Sequence, residues 1–133
     1  MIVPDSSAWI EHLRRTGSPI HETLKRLLEE KAPIATTEVI VLEVLAGVRS
    51  PRQLRTLRAE LGSFDVLPLE GLDDYEEAAA LYRACRQRGE TIRKLTDCLV
   101  AVPVIRAGGE LLHRDSDFDA IARHSDLRIY ATD

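Results

Sequence analysis

Cysteine, aromatic residues and long apolar runs are all scarce in this sequence of 133 residues. Its two cysteines, Cys85 and Cys98, lack the close spacing of a zinc site and are typical of a reduced cytoplasmic protein. No apolar run approaches the roughly 18 residues that a membrane helix needs. The first residues, MIVPDSSAW, lack the basic start and long apolar segment of a signal peptide. The sequence therefore predicts a cytoplasmic protein without membrane attachment.

Positive charge is also in the minority, and the formal net charge is −4 at pH 7. This balance disfavours a protein whose whole surface binds nucleic acid, although it allows a basic patch beside an acidic pocket. Apolar residues make up 44% of the chain and charged residues 30%, which is ordinary for a folded protein. We expect one domain over residues 1–133, because this length suffices for a hydrophobic core.

Short apolar segments alternate with helical segments along the chain. The predicted strands are residues 2–3, 33–35, 64–67, 110–113 and 127–130. Capping side chains indicate helix starts at Asp5-Ser6-Ser7, Ser18-Pro19, Thr36-Thr37 and Ser50-Pro51, and Gly47 indicates a helix end. Pro103 lies inside the helix predicted for residues 95–107 and is expected to bend it. The alternation predicts an α/β fold with three layers (α/β/α) and a mainly parallel central sheet of four to five strands.

Glu43 stands in an unusual place for a carboxylate, inside the apolar helix EVIVLEVLAG. Its neighbours leave almost no polar face, so Glu43 is expected at the edge of the core or within it. A buried carboxylate normally takes up a proton or pairs with a cation, and an arginine partner is the simplest explanation.

Three aspartates lie at predicted strand ends or helix starts. Asp5 and Asp115 each follow a strand, and Asp97 begins an apolar helix. Each could simply cap a helix, as could Asp117 after the fourth strand, because Asp is a favoured N-cap. In an open parallel sheet, however, functional groups gather at the carboxyl ends of strands, where the strand order reverses. These aspartates are therefore expected to share one edge of the sheet, within reach of Glu43.

A hard divalent cation would relieve the repulsion among carboxylates gathered in this way. Mg²⁺ and Mn²⁺ prefer oxygen ligands, whereas the four histidines are scattered and form no zinc motif. We therefore predict a Mg²⁺ site, in which Mn²⁺ can substitute. Its predicted ligands are Asp5, Glu43, Asp97 and Asp115.

A carboxylate site for Mg²⁺ in a parallel α/β fold is typical of phosphate chemistry, with hydrolysis by a metal-activated water. The motifs of competing phosphate enzymes are missing from the sequence. It contains neither a Walker A motif nor G-x-G-x-x-G. The D-x-D of haloacid-dehalogenase-type phosphatases would follow the first strand, where this chain reads Asp5-Ser6-Ser7.

Four blocks of the sequence resemble PIN-domain ribonucleases, and within that family the VapC toxins of toxin–antitoxin systems. The blocks are IVPDSSAWIEHLR, EVIVLEVLAGVR, GETIRKLTDCLVA and GGELLHRDSDFDAIAR, and they span essentially the whole chain. The family's four acidic positions resemble Asp5, Glu43, Asp97 and the Asp115/Asp117 pair. The resemblance implies that these five residues bind the metal and that all of them except Asp117 are also catalytic. Within the pair, we favour Asp115 as the direct ligand. His113 stands where the family often has Thr, and its role stays open.

The resemblance implies a Mg²⁺-dependent endoribonuclease that leaves 5′-phosphate and 3′-hydroxyl ends. It also implies a cognate VapB-type antitoxin, which places a segment in or near the active site, and a toxin homodimer. Next to Asp97, the basic pair Arg93-Lys94 is predicted to contact RNA phosphates, whereas the other arginines fit solvated helix faces.

Two other functions were weighed against the ribonuclease. A catalytically silent PIN-like domain that holds RNA or a partner would tolerate loss of the acids and show no metal-dependent turnover. A Mg²⁺-dependent phosphomonoesterase would release phosphate from small esters and ignore long RNA. The presence of all four acidic blocks favours the ribonuclease.

Overall fold

Residues 1–132 are described by the computed structural model, in which strands and helices alternate as predicted. In chain order the elements are β1 (Ile2–Pro4), α1 (Ser6–Arg14), α2 (Pro19–Glu29), β2 (Ala35–Thr37), α3 (Glu38–Ala46), α4 (Pro51–Gly62), β3 (Asp65–Leu67), α5 (Leu72–Gln87), α6 (Leu95–Ala107), β4 (Glu110–Leu112), α7 (Ser116–Arg123) and β5 (Arg128–Ile129).

The strand pairs of the described chain are all parallel, which confirms the predicted sheet. β1 pairs with β4, β4 with β5, and β2 with β3. A parallel bridge between Ile2 and Ile34 joins the two groups, and the Ile2 amide donates to the Pro33 carbonyl over 2.9 Å. The spatial order is therefore β3-β2-β1-β4-β5.

The strand order reverses at β1, because the chain first builds β2 and β3 on one side of it and then β4 and β5 on the other. Helix α1 contacts α2 and α3, and α3 contacts α4, whereas α5, α6 and α7 form a second group in mutual contact. Right-handed crossovers place these two groups on opposite faces of the sheet, which confirms the three layers. The carboxyl ends of β1 and β4 form the switch point, where α/β folds usually bind ligands.

The predicted bounds differ most at β2. The strand runs from Ala35 to Thr37, two residues later than predicted, and includes a threonine pair that was expected to open the next helix. Pro33 has no amide hydrogen for a strand ladder, whereas β-branched threonines fit a strand well. Thr37 still performs the predicted capping, because its Oγ1 accepts from the Ile40 amide over 3.2 Å.

One continuous hydrophobic core underlies the sheet and both groups of helices. Trp9 is fully buried in it, with its ring centroid 5.9 Å from that of Phe64. Pro103 is also buried and lies inside α6, which continues through it to Ala107. Among the helices of residues 1–132, none is long and apolar enough to cross a membrane.

Candidate metal centre

Asp5 lies at the carboxyl end of β1 and caps α1. Its Oδ2 accepts hydrogen bonds from the Ser7 amide over 3.0 Å and from the Ser7 hydroxyl over 2.6 Å. The residue is fully buried, and its Oδ1 has no hydrogen-bond partner within residues 1–132. One carboxylate oxygen is thus fixed by the cap, and the other is left for a ligand.

Glu43 lies on α3, half-buried at the edge of the core as predicted. Ser6 donates its hydroxyl to Oε1 over 3.2 Å. The explanation that Glu43 pairs with an arginine was wrong. The nearby cation is Lys94, whose Nζ lies 3.9 Å from Oε2 of Glu43. Burial and the neighbouring charge of Asp5 raise the pKa of Glu43, against the opposing effects of Lys94 and Ser6.

Asp97 is the third residue of α6, which begins at Leu95. It is fully buried, and neither of its oxygens accepts a hydrogen bond from the part of the chain that the structure describes. The capping alternative for this residue was therefore wrong. Burial, followed by the charge of Asp115, raises the pKa of Asp97 to about 8. An aspartate in this state needs either a proton or a cation at neutral pH.

Asp115, just beyond β4, is the N-cap of α7. From the sequence, Asp117 was also a candidate for this cap. Oδ1 of Asp115 accepts from the Asp117 amide over 3.0 Å. Burial raises the pKa of Asp115, but four neighbouring groups lower it by more, so that the pKa of Asp115 lies below its ordinary value. These groups are the Asp117 amide, the Asp97 carboxyl, and the charges of Lys94 and Arg93. Asp115 therefore stays ionised beside a protonated Asp97 in the metal-free protein.

Asp117 ties α7 to the start of α6. Its Oδ2 accepts from the backbone amides of Arg93, over 3.1 Å, and of Lys94, over 3.0 Å. Its Oδ1 lies 3.6 Å from Nε of Arg93. One oxygen of Asp117 is thus occupied by backbone donors, which sets the position of the segment that carries Asp97.

The structure brings most of the predicted ligands together. Oxygen atoms of Asp97, Asp115 and Asp117 lie within 4.8 Å of one another. Among the described residues, Asp5 and Glu43 do not join this group of three. Their charges nevertheless act on it, since Asp5 raises the pKa values of both Glu43 and Asp97.

Lys94 provides a positive charge at the centre of the acids. Its Nζ lies 3.6 Å from Asp97, 3.8 Å from Asp115 and 3.9 Å from Glu43. Burial lowers the pKa of Lys94, but the surrounding carboxylates outweigh burial and raise it. This ammonium group offsets part of the negative charge of the acids around it.

The donor set fits a hard divalent cation. Buried oxygens of Asp5 and Asp97 have no hydrogen-bond donor among residues 1–132. The possible metal-ligand atoms that lie close together there are all carboxylate oxygens. All-oxygen sites of this kind suit Mg²⁺ and Mn²⁺ rather than zinc.

Sequence reasoning missed the two serines that orient the acids. Ser6 holds Glu43, and Ser7 holds Asp5 while its Oγ accepts from the Arg114 amide over 3.0 Å. The motif Asp5-Ser6-Ser7 carried the only signal, which was read as helix capping alone. Glu43 and Arg114, the distant partners of these serines, are 37 and 107 residues away in the chain, so local patterns could identify only the contact of Ser7 with Asp5.

A groove of about 370 Å³ lies beside Glu43, between α1, α3 and α4. Its apolar walls include Ile10, Leu13, Val44 and Leu57, with Arg14 and Arg49 at its border. On the same helix as Glu43, Leu42 is 68% exposed. This exposure agrees with the observation that the α3 sequence is more apolar than a one-sided helix requires.

Comparison with known families decides the identity, because the family model for the PIN domain matches residues 2–124. The chain belongs to the PIN-domain family. Ribonuclease VapC11 of Mycobacterium tuberculosis is 43% identical to this PIN domain over 129 residues, which are 96% of each chain. The predicted membership of the VapC group is thereby confirmed.

Solved structures support the same fold at lower identity. VapBC2 from Rickettsia felis, crystallised with a DNA fragment from its promoter, aligns with a TM-score of 0.73, 17% identity and full coverage of both chains. FitAcB from Neisseria gonorrhoeae aligns with a TM-score of 0.73 and 20% identity, over 98% of this PIN domain and 97% of that chain.

The two predicted RNA-binding residues differ in exposure. The side chain of Arg93 is 74% exposed, and its guanidinium donates to Ser116 over 3.2 Å. The side chain of Lys94 is 49% exposed and points at the carboxylates. In this PIN domain both therefore lie at the mouth of the acidic site.

Proposed function

We propose that this PIN domain is a Mg²⁺-dependent endoribonuclease that acts as the toxin of a toxin–antitoxin pair. The observation that carries the proposal is the convergence of Asp97, Asp115 and Asp117 within 4.8 Å at the switch point of a parallel sheet. Its 43% identity to a protein named ribonuclease VapC11 supports the same activity.

Asp5, Asp97 and Asp115 would hold the Mg²⁺ ion, for which Mn²⁺ can substitute. Asp115 is a better direct ligand than Asp117, because Asp117 already accepts two backbone hydrogen bonds through Oδ2. Asp117 completes the site through its other oxygen or through water. Glu43 contributes a fourth acidic group, which Ser6 orients.

A bound divalent ion would supply a more acidic water and would neutralise charge on the phosphate. Glu43 would accept a proton from the attacking water, because burial and Asp5 raise its pKa above the ordinary value of a glutamate. The water oxygen attacks phosphorus in line as the bond to the 3′-oxygen breaks, and this oxygen takes up a proton. The products are one 5′-phosphate end and one 3′-hydroxyl end.

Arg93 and Lys94 would position the RNA backbone. The guanidinium of Arg93 is exposed beside Asp115 and Asp117. It can therefore reach a phosphate next to the scissile bond. When the cation binds, the ammonium group of Lys94 would leave the neighbouring carboxylates and would then also contact an RNA phosphate.

A VapB-type antitoxin would occupy the groove beside Glu43. The groove has apolar walls and leads to the acidic site, so an apolar segment with a basic side chain would complement both. A solved structure from Klebsiella pneumoniae, which aligns with this chain with a TM-score of 0.67 and 22% identity, is named as a toxin–antitoxin complex. The toxin itself is proposed to form a homodimer.

The activity is tested with purified protein, long RNA and Mg²⁺. The unaltered protein should cut RNA internally, and EDTA should stop the reaction. Asp5→Asn or Asp97→Asn should slow cleavage at least about 100-fold, as expected for loss of a group that stabilises the transition state. Asp126→Asn is the matched control, because Asp126 is exposed just before β5, at the opposite edge of the sheet.

Three outcomes separate the candidate functions. Undiminished cutting by Asp97→Asn protein would end the ribonuclease assignment. RNA binding without turnover in Mg²⁺ would support the silent binding domain. Release of phosphate from small esters, with long RNA left intact, would support the phosphomonoesterase.

A further inference from the structure

His113 lies directly after β4, and its side chain is 7% exposed. Its Nδ1 accepts a hydrogen bond from the Asp115 backbone amide over 2.9 Å. Its Nε2 lies 3.2 Å from Oδ1 of Asp119, and its ring centroid lies 5.3 Å from that of Phe118. Both nitrogens of this nearly buried ring therefore have partners.

These partners determine which nitrogen carries the proton. An amide N–H can only donate, so Nδ1 of His113 must present its lone pair to Asp115. The ring proton is then on Nε2, which donates it to the Asp119 carboxylate. Asp119 selects this tautomer, just as a carboxylate behind a metal-binding histidine does.

Through this contact, Asp115 is restrained at two points. His113 holds its backbone amide, and the Asp117 amide holds its Oδ1 over 3.0 Å. The free oxygen, Oδ2, is thereby directed into the site, where it lies 3.8 Å from Nζ of Lys94. A ligand fixed in this way binds an ion without first losing rotational freedom.

We propose that His113 is a positioning residue for Asp115, with its tautomer set by Asp119. The inference rests on the proposed function, because Asp115 is one of the proposed metal ligands. His113 itself contacts neither the metal nor RNA. It acts through the hydrogen bond from the Asp115 amide, which fixes the loop between β4 and α7.

Two isosteric substitutions separate this role from simple core packing. In His113→Asn, the amide oxygen takes the place of Nδ1 and can still accept from the Asp115 amide. In His113→Gln, the amide nitrogen takes the place of Nε2 and can still donate to Asp119, but the Asp115 amide is left without its acceptor. Both variants remove the ring that contacts Phe118. If His113 acted only through packing, both variants would therefore lose similar amounts of Mn²⁺ affinity.

The experiment measures Mn²⁺ affinity by calorimetry, kcat and KM for RNA cleavage, and Tm in EDTA. His113→Gln should weaken Mn²⁺ binding about 10-fold or more, the effect typical of residues that support metal ligands. Its kcat at limiting Mn²⁺ should fall in proportion, with KM for RNA unchanged. His113→Asn should recover most of the affinity, although its Tm falls as well.

Equal affinities for the unaltered protein and both variants would overturn the proposal. Equal losses in both variants, in parallel with Tm, would also overturn it in favour of packing. If His113→Gln does not fold, Asp119→Ala replaces it, because the Asp119 side chain is more than half exposed. It should weaken Mn²⁺ binding by less than His113→Gln would, and an unchanged affinity would count against the proposal.

The calorimetric result is independent of cleavage. Mn²⁺ binding that depends on His113 in a protein that cuts no RNA would uphold this inference while the proposed nuclease failed. RNA cleavage with Mn²⁺ affinities unaffected by His113 would give the opposite result.

Discussion

At the scale of single residues, Asp97 shows how burial and charge prepare a site for a cation. Its carboxyl is fully buried next to Asp115, and these two effects raise its pKa to about 8. At neutral pH the metal-free protein therefore keeps a proton on Asp97, which a divalent ion must displace. Metal affinity should rise with pH until Asp97 ionises without help.

Without metal, this proton also makes stability depend on pH. The pKa of Asp97 is about 8 in the folded protein and 3.8 as its ordinary value, so the folded state binds the extra proton. The contribution of Asp97 to the free energy of unfolding is therefore complete below about pH 4 and is lost as pH rises to about 8. Asn cannot titrate, so Asp97→Asn should become progressively more stable relative to the unaltered protein over this window.

Urea unfolding in EDTA at several pH values measures this difference. The free energy of unfolding of Asp97→Asn minus that of the unaltered protein should increase from about pH 4 to pH 8 and then level off. Asp126→Asn serves as the control and should show a flat difference. A flat difference for Asp97→Asn as well would contradict the elevated pKa.

Lys94 gives a second prediction at the same scale. Its ammonium lies within 3.9 Å of three carboxylates, so Lys94→Gln should destabilise the metal-free protein by about 1 kcal/mol, given its half-exposed side chain. Mg²⁺ should raise the Tm of Lys94→Gln more than that of the unaltered protein, because the ion no longer competes with an ammonium. Lys25→Gln, at an exposed position on α2, is the control. Identical Tm shifts in all three proteins would contradict the competition.

The identities of the acidic site residues could be predicted from sequence, but their individual roles could not. Asp5, Glu43 and Asp97 were conspicuous because each stands in or beside an apolar segment. The division of labour between Asp115 and Asp117 depends instead on amides 23 and 24 residues away. Which acid has a free oxygen is therefore a property of tertiary contacts, which no local pattern records.

At the scale of elements, the caps are the features that sequence predicts best. Thr37, Ser18 and Ser50 each cap the helix that follows them, as expected from their side chains. Strand bounds were less certain, because strands of two or three residues carry too few side chains to show alternation. The bounds of α6 match the prediction of residues 95–107, although Lys94 at its N-cap makes no side-chain capping bond.

Removing the cap of α3 should affect the site as well as stability. Thr37→Ala leaves the buried Ile40 amide without its acceptor and should cost about 1 kcal/mol of stability. Because α3 carries Glu43, RNA cleavage should also slow. The matched control is Ser50→Ala, which removes the corresponding cap of α4 and should lower stability without changing cleavage. Equal rates in the two variants, measured well below their Tm, would show that the α3 cap does not position Glu43.

At the scale of the whole molecule, the acidic site lies at the same edge of the sheet as its basic rim, which consists of Arg93 and Lys94. The alternation of strands and helices predicted the parallel sheet and its layers. It could not predict the order β3-β2-β1-β4-β5, because the order depends on which strands pair over about 30 to 110 residues of chain. That order determines which acids meet.

The position of the basic rim can be tested through salt dependence. Arg93→Ala should reduce the slope of log affinity for single-stranded RNA against log salt by about 0.7, the value for one phosphate contact. Arg128 lies at the amino-terminal edge of the sheet, where its guanidinium donates to the Gly108 carbonyl. Arg128→Ala should therefore leave the slope unchanged. Titrations in EDTA prevent cleavage during the measurement, and equal slopes for both variants would remove Arg93 from the RNA interface.

The central place of β1 has a consequence for biosynthesis. A ribosome makes Ile2–Pro4 before Glu110–Leu112, the strand with which these residues pair. Asp5 therefore cannot meet Asp115 until synthesis has passed β4. Nascent chains and prematurely terminated products that end before β4 lack the assembled acidic site.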